Sequence, residues 1–158
     1  MELKQRLASI ARFVSMMMFI GGLLFFYSYA SDAIGRSITQ DFYILQLPKS
    51  LIFYSMLILF AAFNIIMNVA VKLYRDTKGE DRSSMLFFSA HQKAVVTFWA
   101  TLTIAGFNVL LAAFLLYVGF IRIEELAAMT GYIAIPVLGI ICFFIPFSGL
   151  IVTLLTKR

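Results

Sequence analysis

Four long apolar stretches divide this chain, and they constrain its fold more than any other feature of the sequence. They lie at about residues 9–30, 50–71, 95–118 and 128–155. The last three contain no Asp, Glu, Lys or Arg, and the first contains only Arg12 near one end. Because a helix needs about 20 apolar residues to cross the roughly 30 Å core of a bilayer, each stretch predicts a transmembrane helix.

The composition agrees with this prediction. The 158 residues are 62% hydrophobic and 13% charged, whereas soluble domains are about 45–50% apolar and about 25% charged. We therefore predict an all-α polytopic membrane protein, a four-transmembrane-helix bundle that forms a single membrane domain over residues 1–158. The first stretch is longer than the apolar region of a signal peptide, which favours a retained helix.

The distribution of basic residues predicts the orientation of the bundle. Four spans place both termini on one side, and ten of the 13 basic residues fall on that side, in the tails and the middle loop. Cytoplasmic loops are enriched in Lys and Arg, so the expected topology has both termini in the cytoplasm. Short loops favour the bacterial inner membrane as the location.

Polar residues recur at helical spacing in the second and third stretches. They form two faces, one with Asn64 and Asn68 and the other with Thr97, Thr101 and Asn108. Buried amides in lipid need partners, so we expect helix–helix hydrogen bonds between these faces. The alternatives are a neutral polar lining for a solute or ion pathway, or a site for a partner subunit's helix.

Small residues form stripes on the first and fourth stretches. The first stripe contains Ala11, Ser15 and Gly22, and the second contains Gly139, Cys142 and Gly149. Small side chains let helices approach closely in lipid, which predicts packing interfaces on these faces.

An apolar patch precedes the third stretch, and a few polar residues separate the two. We predict an interfacial segment at about residues 84–93, which lies at the headgroups or docks onto a neighbouring subunit. The interfacial residues are Met85, Phe87, Phe88, His91, Lys93 and Trp99.

No pattern of catalytic, cofactor-binding or metal-ligating residues is recognisable. His91 and Cys142 are the only residues of their kinds, which excludes an intrachain disulfide and a centre built from several histidines. The sequence favours a non-catalytic subunit that scaffolds a larger inner-membrane complex for transport or energy conversion. Its expected partners are the lipid bilayer and other membrane subunits, and not nucleic acid. A homo-oligomeric channel or small transporter is the second hypothesis. A small enzyme acting on a lipophilic substrate is the third.

Overall fold

The computed structural model describes residues 2–29, 49–76, 90–122 and 134–156, and the regular structure in these ranges is helical. α1 comprises Glu2–Tyr29, α2 Lys49–Asp76, α3 Ala90–Arg122 and α4 Ala134–Leu155. Each helix contains a segment that is long and apolar enough to cross a membrane. The prediction of an all-helical chain with four helices of spanning length is confirmed.

Two helices begin before the apolar stretches that predicted them. α1 begins at Glu2 and α3 at Ala90, so residues 90–93 belong to α3 and not to a separate interfacial segment. At 1.5 Å per residue, α3 is about 50 Å long, which exceeds the roughly 30 Å hydrocarbon core. α3 is therefore long enough to cross such a core with residues to spare. Residues 84–89, and the predicted start of the fourth span at 128–133, lie outside the described ranges.

α3 is the central helix of the bundle. Within its spanning segment 61% of the residues are buried, against 22% in α1, 17% in α4 and 6% in α2. α1 and α4 pack along α3 over most of its length, whereas α2 makes far fewer close backbone approaches. The largest buried cluster joins Phe19 and Phe26 of α1 to Leu115 and Val118 of α3. The core of the protein therefore surrounds α3.

Backbone contact between α3 and α4 depends on a glycine and a proline. A Cβ atom at Gly106 would overlap the carbonyl oxygen of Cys142 and lie 2.9 Å from the Cα of Phe143. Pro146 lies inside α4, four residues after Cys142. Because proline has no N–H, the carbonyl of Cys142 lacks its usual helical donor. The close approach of Gly106 brings a Cα–H group to this carbonyl, a weak contact that recurs at helix interfaces.

α2 lies farther from the other helices because its contacts are made by large side chains. The ring of Phe60 stacks on Phe19 of α1 with centroids 4.2 Å apart, and Phe63 stacks on Phe107 of α3 at 3.8 Å. Rings of this size keep two helix backbones apart, whereas glycine and alanine bring them together. α2 is thus attached through large side chains, near its ends as well as at its middle, and leaves most of its surface outside the bundle.

Candidate functional site

Three polar side chains from three helices meet inside the bundle, and we call them the amide cluster: Ser15 of α1, Asn64 of α2 and Asn108 of α3. The amide nitrogen of Asn64 donates to Asn108 Oδ1 at 2.9 Å. The amide nitrogen of Asn108 lies 3.4 Å from Ser15 Oγ and donates to it. The amide cluster therefore joins α1 and α2 through the central helix.

Backbone carbonyls complete the amide cluster at both ends. Ser15 Oγ donates to the carbonyl of Arg12 at 2.8 Å, and the Asn64 amide also donates to the carbonyl of Phe60 at 2.8 Å. Asn108 is 0% exposed and Ser15 2%. A buried polar group without a hydrogen bond is strongly unfavourable in an apolar medium, so these bonds allow the cluster to lie inside the bundle. The arrangement is neutral and carries no acid, base or nucleophile of its own.

The sequence predicted five residues for contacts between α2 and α3, and the structure joins two of them directly. Asn64 and Asn108 bond to each other, whereas the Asn68 amide donates to the carbonyl of Asn64 in its own helix at 2.6 Å. The hydroxyl of Thr97 donates to the carbonyl of Lys93, and that of Thr101 to the carbonyl of Thr97. A threonine hydroxyl readily reaches the carbonyl four residues earlier, which makes a partner on another helix unnecessary.

Several residues of the predicted small-residue stripes lie where two helices approach each other. A Cβ at Gly22 would lie 3.3 Å from the carbonyl oxygen of Ala112, and one at Gly139 would lie 2.8 Å from the Cβ of Ala113. Gly149 packs against the indole of Trp99, Ser15 is buried and Ala11 is half-buried. Cys142 departs from the expectation, since its side chain is exposed. Only its backbone takes part in packing, because the closest approach of α3 is to its carbonyl.

The predicted interfacial residues divide into two groups. Met85, Phe87 and Phe88 lie outside the described residues. His91 is exposed on the first turn of α3, and Lys93 is half-buried. Trp99 lies between α3 and α4, where it packs beside Val96, Ala100 and Leu150. Its indole therefore contributes to the packing between these two helices.

A cleft of about 410 Å³ opens between α1, α2 and α3 near the start of α1, and we call it the basic cleft. Its polar lining residues are Gln5, Ser9, Arg75, Lys93, Thr97 and Thr101. Its apolar lining residues are Ala8, Ala94 and Phe98. The Nζ of Lys93 donates to the backbone carbonyl of Arg75 at 3.5 Å, which links α3 to α2 beside the cleft.

The basic cleft and the amide cluster follow one another along the same three helices. Thr101 of the cleft precedes Asn108 by two helical turns on α3, and Ala8 precedes Ser15 by two turns on α1. Beyond the amide cluster, Phe19 and Phe60 stack between α1 and α2. Polar side chains thus line the cleft at one end of the bundle and occur again two turns inward at the amide cluster, beyond which the stacked rings lie.

Sequence reasoning missed several residues of this region. The polar role of Ser15 was missed because serine also fits a small-residue stripe. Gly106 was not assigned to packing, although it is a glycine in the middle of a predicted span. Arg75 continues the face of Asn64 and Asn68 beyond the span, and this spacing was the available signal for the cleft.

Comparison of the chain with family models, with curated proteins and with solved structures finds no match in any of the three. Among the described residues, no three His, Cys, Asp or Glu side chains lie close enough together to hold a metal ion.

Proposed function

We propose that this protein is a non-catalytic membrane subunit that stabilises a larger complex, with both termini on the cytoplasmic side of a bacterial inner membrane. The observation that carries the proposal is the exposure of α2: only 6% of the residues in its candidate spanning segment are buried. α1 and α4 are anchored on α3 by close backbone contact, whereas α2 presents most of its circumference outward. We assign that surface to transmembrane helices of a different subunit.

The outer face of α2 has the composition of a helix-packing surface. Its exposed residues at helical spacing are Tyr54, Ile58, Ala61, Ile65 and Val69. The small side chain of Ala61 lies between the larger side chains of the face, so another helix can approach closely in the middle of the face. The side-chain amides of Asn64 and Asn68 bond within this chain. The partner therefore recognises shape on this face and not charge.

Site-specific photocrosslinking in native membranes tests the assignment. A benzoylphenylalanine at Ile65 on the outer face of α2 is compared with one at Ile145 on α4, which is equally exposed at 62%. We expect a discrete adduct with one other membrane protein from position 65 and none from position 145. The same protein should copurify with the wild-type chain in a fixed ratio in mild detergent.

Three outcomes would contradict the proposal. They are equal crosslinking from both positions, elution of the wild-type chain alone as a monomer, and an adduct of twice the mass of this chain. The last result would identify a homo-oligomer.

A small channel is the second candidate, and the succession of the basic cleft and the amide cluster along the same three helices favours it. Conduction would require the Asn64–Asn108 bond and the Phe19–Phe60 stack to open, since both lie across the route. The test compares solute flux into liposomes that contain the wild-type protein with flux into liposomes that contain the double variant Asn64→Leu, Asn108→Leu. A change in flux would support this function. Unchanged flux would exclude it.

A further inference from the structure

We propose that the basic cleft binds the phosphate headgroup of an anionic phospholipid. The ligand chemistry is a phosphate diester with a net negative charge, attached to an apolar glycerolipid body. This site is separate from the outer face of α2 and does not depend on the proposed role as a subunit.

The cleft supplies cationic donors for a phosphate. The guanidinium of Arg75 and the ammonium of Lys93 belong to neighbouring helices, and the lining contributed by the described residues contains these two cations and no carboxylate. Arginine binds phosphate oxygens with a fork of donors, and lysine contributes a compact charge. The hydroxyls of Ser9, Thr97 and Thr101 donate to carbonyls of their own helices. Donation to the phosphate therefore comes from the two basic residues and from the amide of Gln5.

The position of the cleft selects a lipid over a soluble anion. The candidate span of α2 ends at Arg75 and that of α3 begins at His91, so the cleft lies where the hydrocarbon core gives way to the headgroups. Ala8, Ala94 and Phe98 add an apolar wall that a phospholipid can contact with its glycerol and first methylenes. Basic pockets between transmembrane helices at this depth are suited to phospholipid headgroups.

The wider charge distribution also favours an anionic lipid. Besides the two cleft residues, the described helices carry four basic residues at this end, Lys4, Arg6, Arg12 and Lys72, against two acidic residues, Glu2 and Asp76. The cytoplasmic leaflet of a membrane carries anionic lipids, which basic residues at the boundary attract. The cleft provides a binding site for one of the anionic lipids that these basic residues attract.

Native mass spectrometry of the full chain tests the proposal. The detergent-purified protein is incubated with phosphatidylglycerol, with phosphatidylcholine or with inorganic phosphate, and retained ligand is counted. We expect the wild-type protein to retain phosphatidylglycerol about tenfold more than phosphatidylcholine, because two basic residues contact the anionic headgroup. Arg75→Gln combined with Lys93→Gln should abolish this preference.

A matched control removes the same charge outside the cleft. Lys4→Gln combined with Lys72→Gln changes two exposed residues that do not line it and should keep the preference. Ala94→Leu narrows the cleft without changing its charge and should lower phosphatidylglycerol retention. This variant tests the binding site if the double charge variant does not fold. Equal loss in both charge variants, retention unaffected by Ala94→Leu, or inorganic phosphate that displaces the lipid would overturn the proposal. The last outcome would identify a site for a soluble anion.

Discussion

The side chains of Asn64 and Asn108, which are 44 positions apart in the sequence, bond amide to amide at 2.9 Å between α2 and α3. Phe60 and Phe63, in the same turn of α2 as Asn64, stack on rings of α1 and α3. Near its middle α2 is therefore attached by this polar contact and two ring contacts, which add to the apolar contacts that Ile52 and Met67 make with the buried clusters. Variants of this region test the attachment directly.

Replacement of Asn108 should destabilise the bundle more than replacement of Asn68. Asn108→Leu removes the bonds to Asn64 and Ser15, and hydrogen bonds between transmembrane helices contribute about 0.6 kcal/mol on average and at most about 1.7. We expect a loss of about 1–2 kcal/mol in the free energy of unfolding, measured in mixed micelles with increasing sodium dodecyl sulfate. Asn68→Leu, which removes a bond within one helix, should change it by less than about 0.5 kcal/mol. Equal effects would contradict the role of the amide cluster.

A double-mutant cycle should show that Asn64 and Asn108 are coupled. Leucine at each position, and at both, should give a coupling energy of about 0.6 kcal/mol or more, since each single variant already breaks the shared bond. The cycle between Asn68 and Asn108 provides the comparison and should be additive within about 0.3–0.5 kcal/mol. A larger coupling for the comparison pair would disagree with a direct bond between Asn64 and Asn108.

A methyl group at Gly106 should be far less well tolerated than one at Gly21. Gly106→Ala forces a Cβ into the backbone of α4, so the two helices must separate, and overpacking of this kind costs about 1–3 kcal/mol. A Cβ added at Gly21 would meet no heavy atom within 4 Å, and Gly21→Ala should be neutral or stabilising. Thermal unfolding followed by the fluorescence of the single tryptophan, Trp99, measures both variants. Similar melting temperatures for the two would show that α3 and α4 are not in close contact.

Cysteine labelling should reveal the proposed topology. Cys142→Ala removes the only thiol, and it should change the free energy of unfolding by less than about 0.5 kcal/mol because that side chain is exposed. In this background, an impermeant maleimide added to intact cells should label Ser37→Cys, between α1 and α2 in the sequence. It should label Lys4→Cys only after the cells are permeabilised. Labelling of Lys4→Cys in intact cells would reverse the orientation.

By itself the sequence determined that four helices of spanning length occur within the described ranges, and that they are apolar. Uncharged runs of about 20 residues have few alternatives in a bilayer, because only a helix satisfies its backbone within one segment. The sequence also indicated small-residue interfaces at Gly22, Gly139 and Gly149, since glycine in a span has few other uses than close packing.

Only the tertiary structure decided which side chains meet. In lipid, a leucine that faces a helix and one that faces an acyl chain are equally apolar, so hydropathy does not distinguish the central α3 from the peripheral α2. The pairing of Asn64 with Asn108, and not with Thr97 or Thr101, depends on the relative rotation of two helices. The rotation of α2 against α3 depends on how the rings of Phe60 and Phe63 pack, and these rings also hold α2 at a distance. The position of α4 depends on Gly106, which admits its backbone at Cys142. These contacts arise between distant parts of the chain, and no local pattern in the sequence contains them.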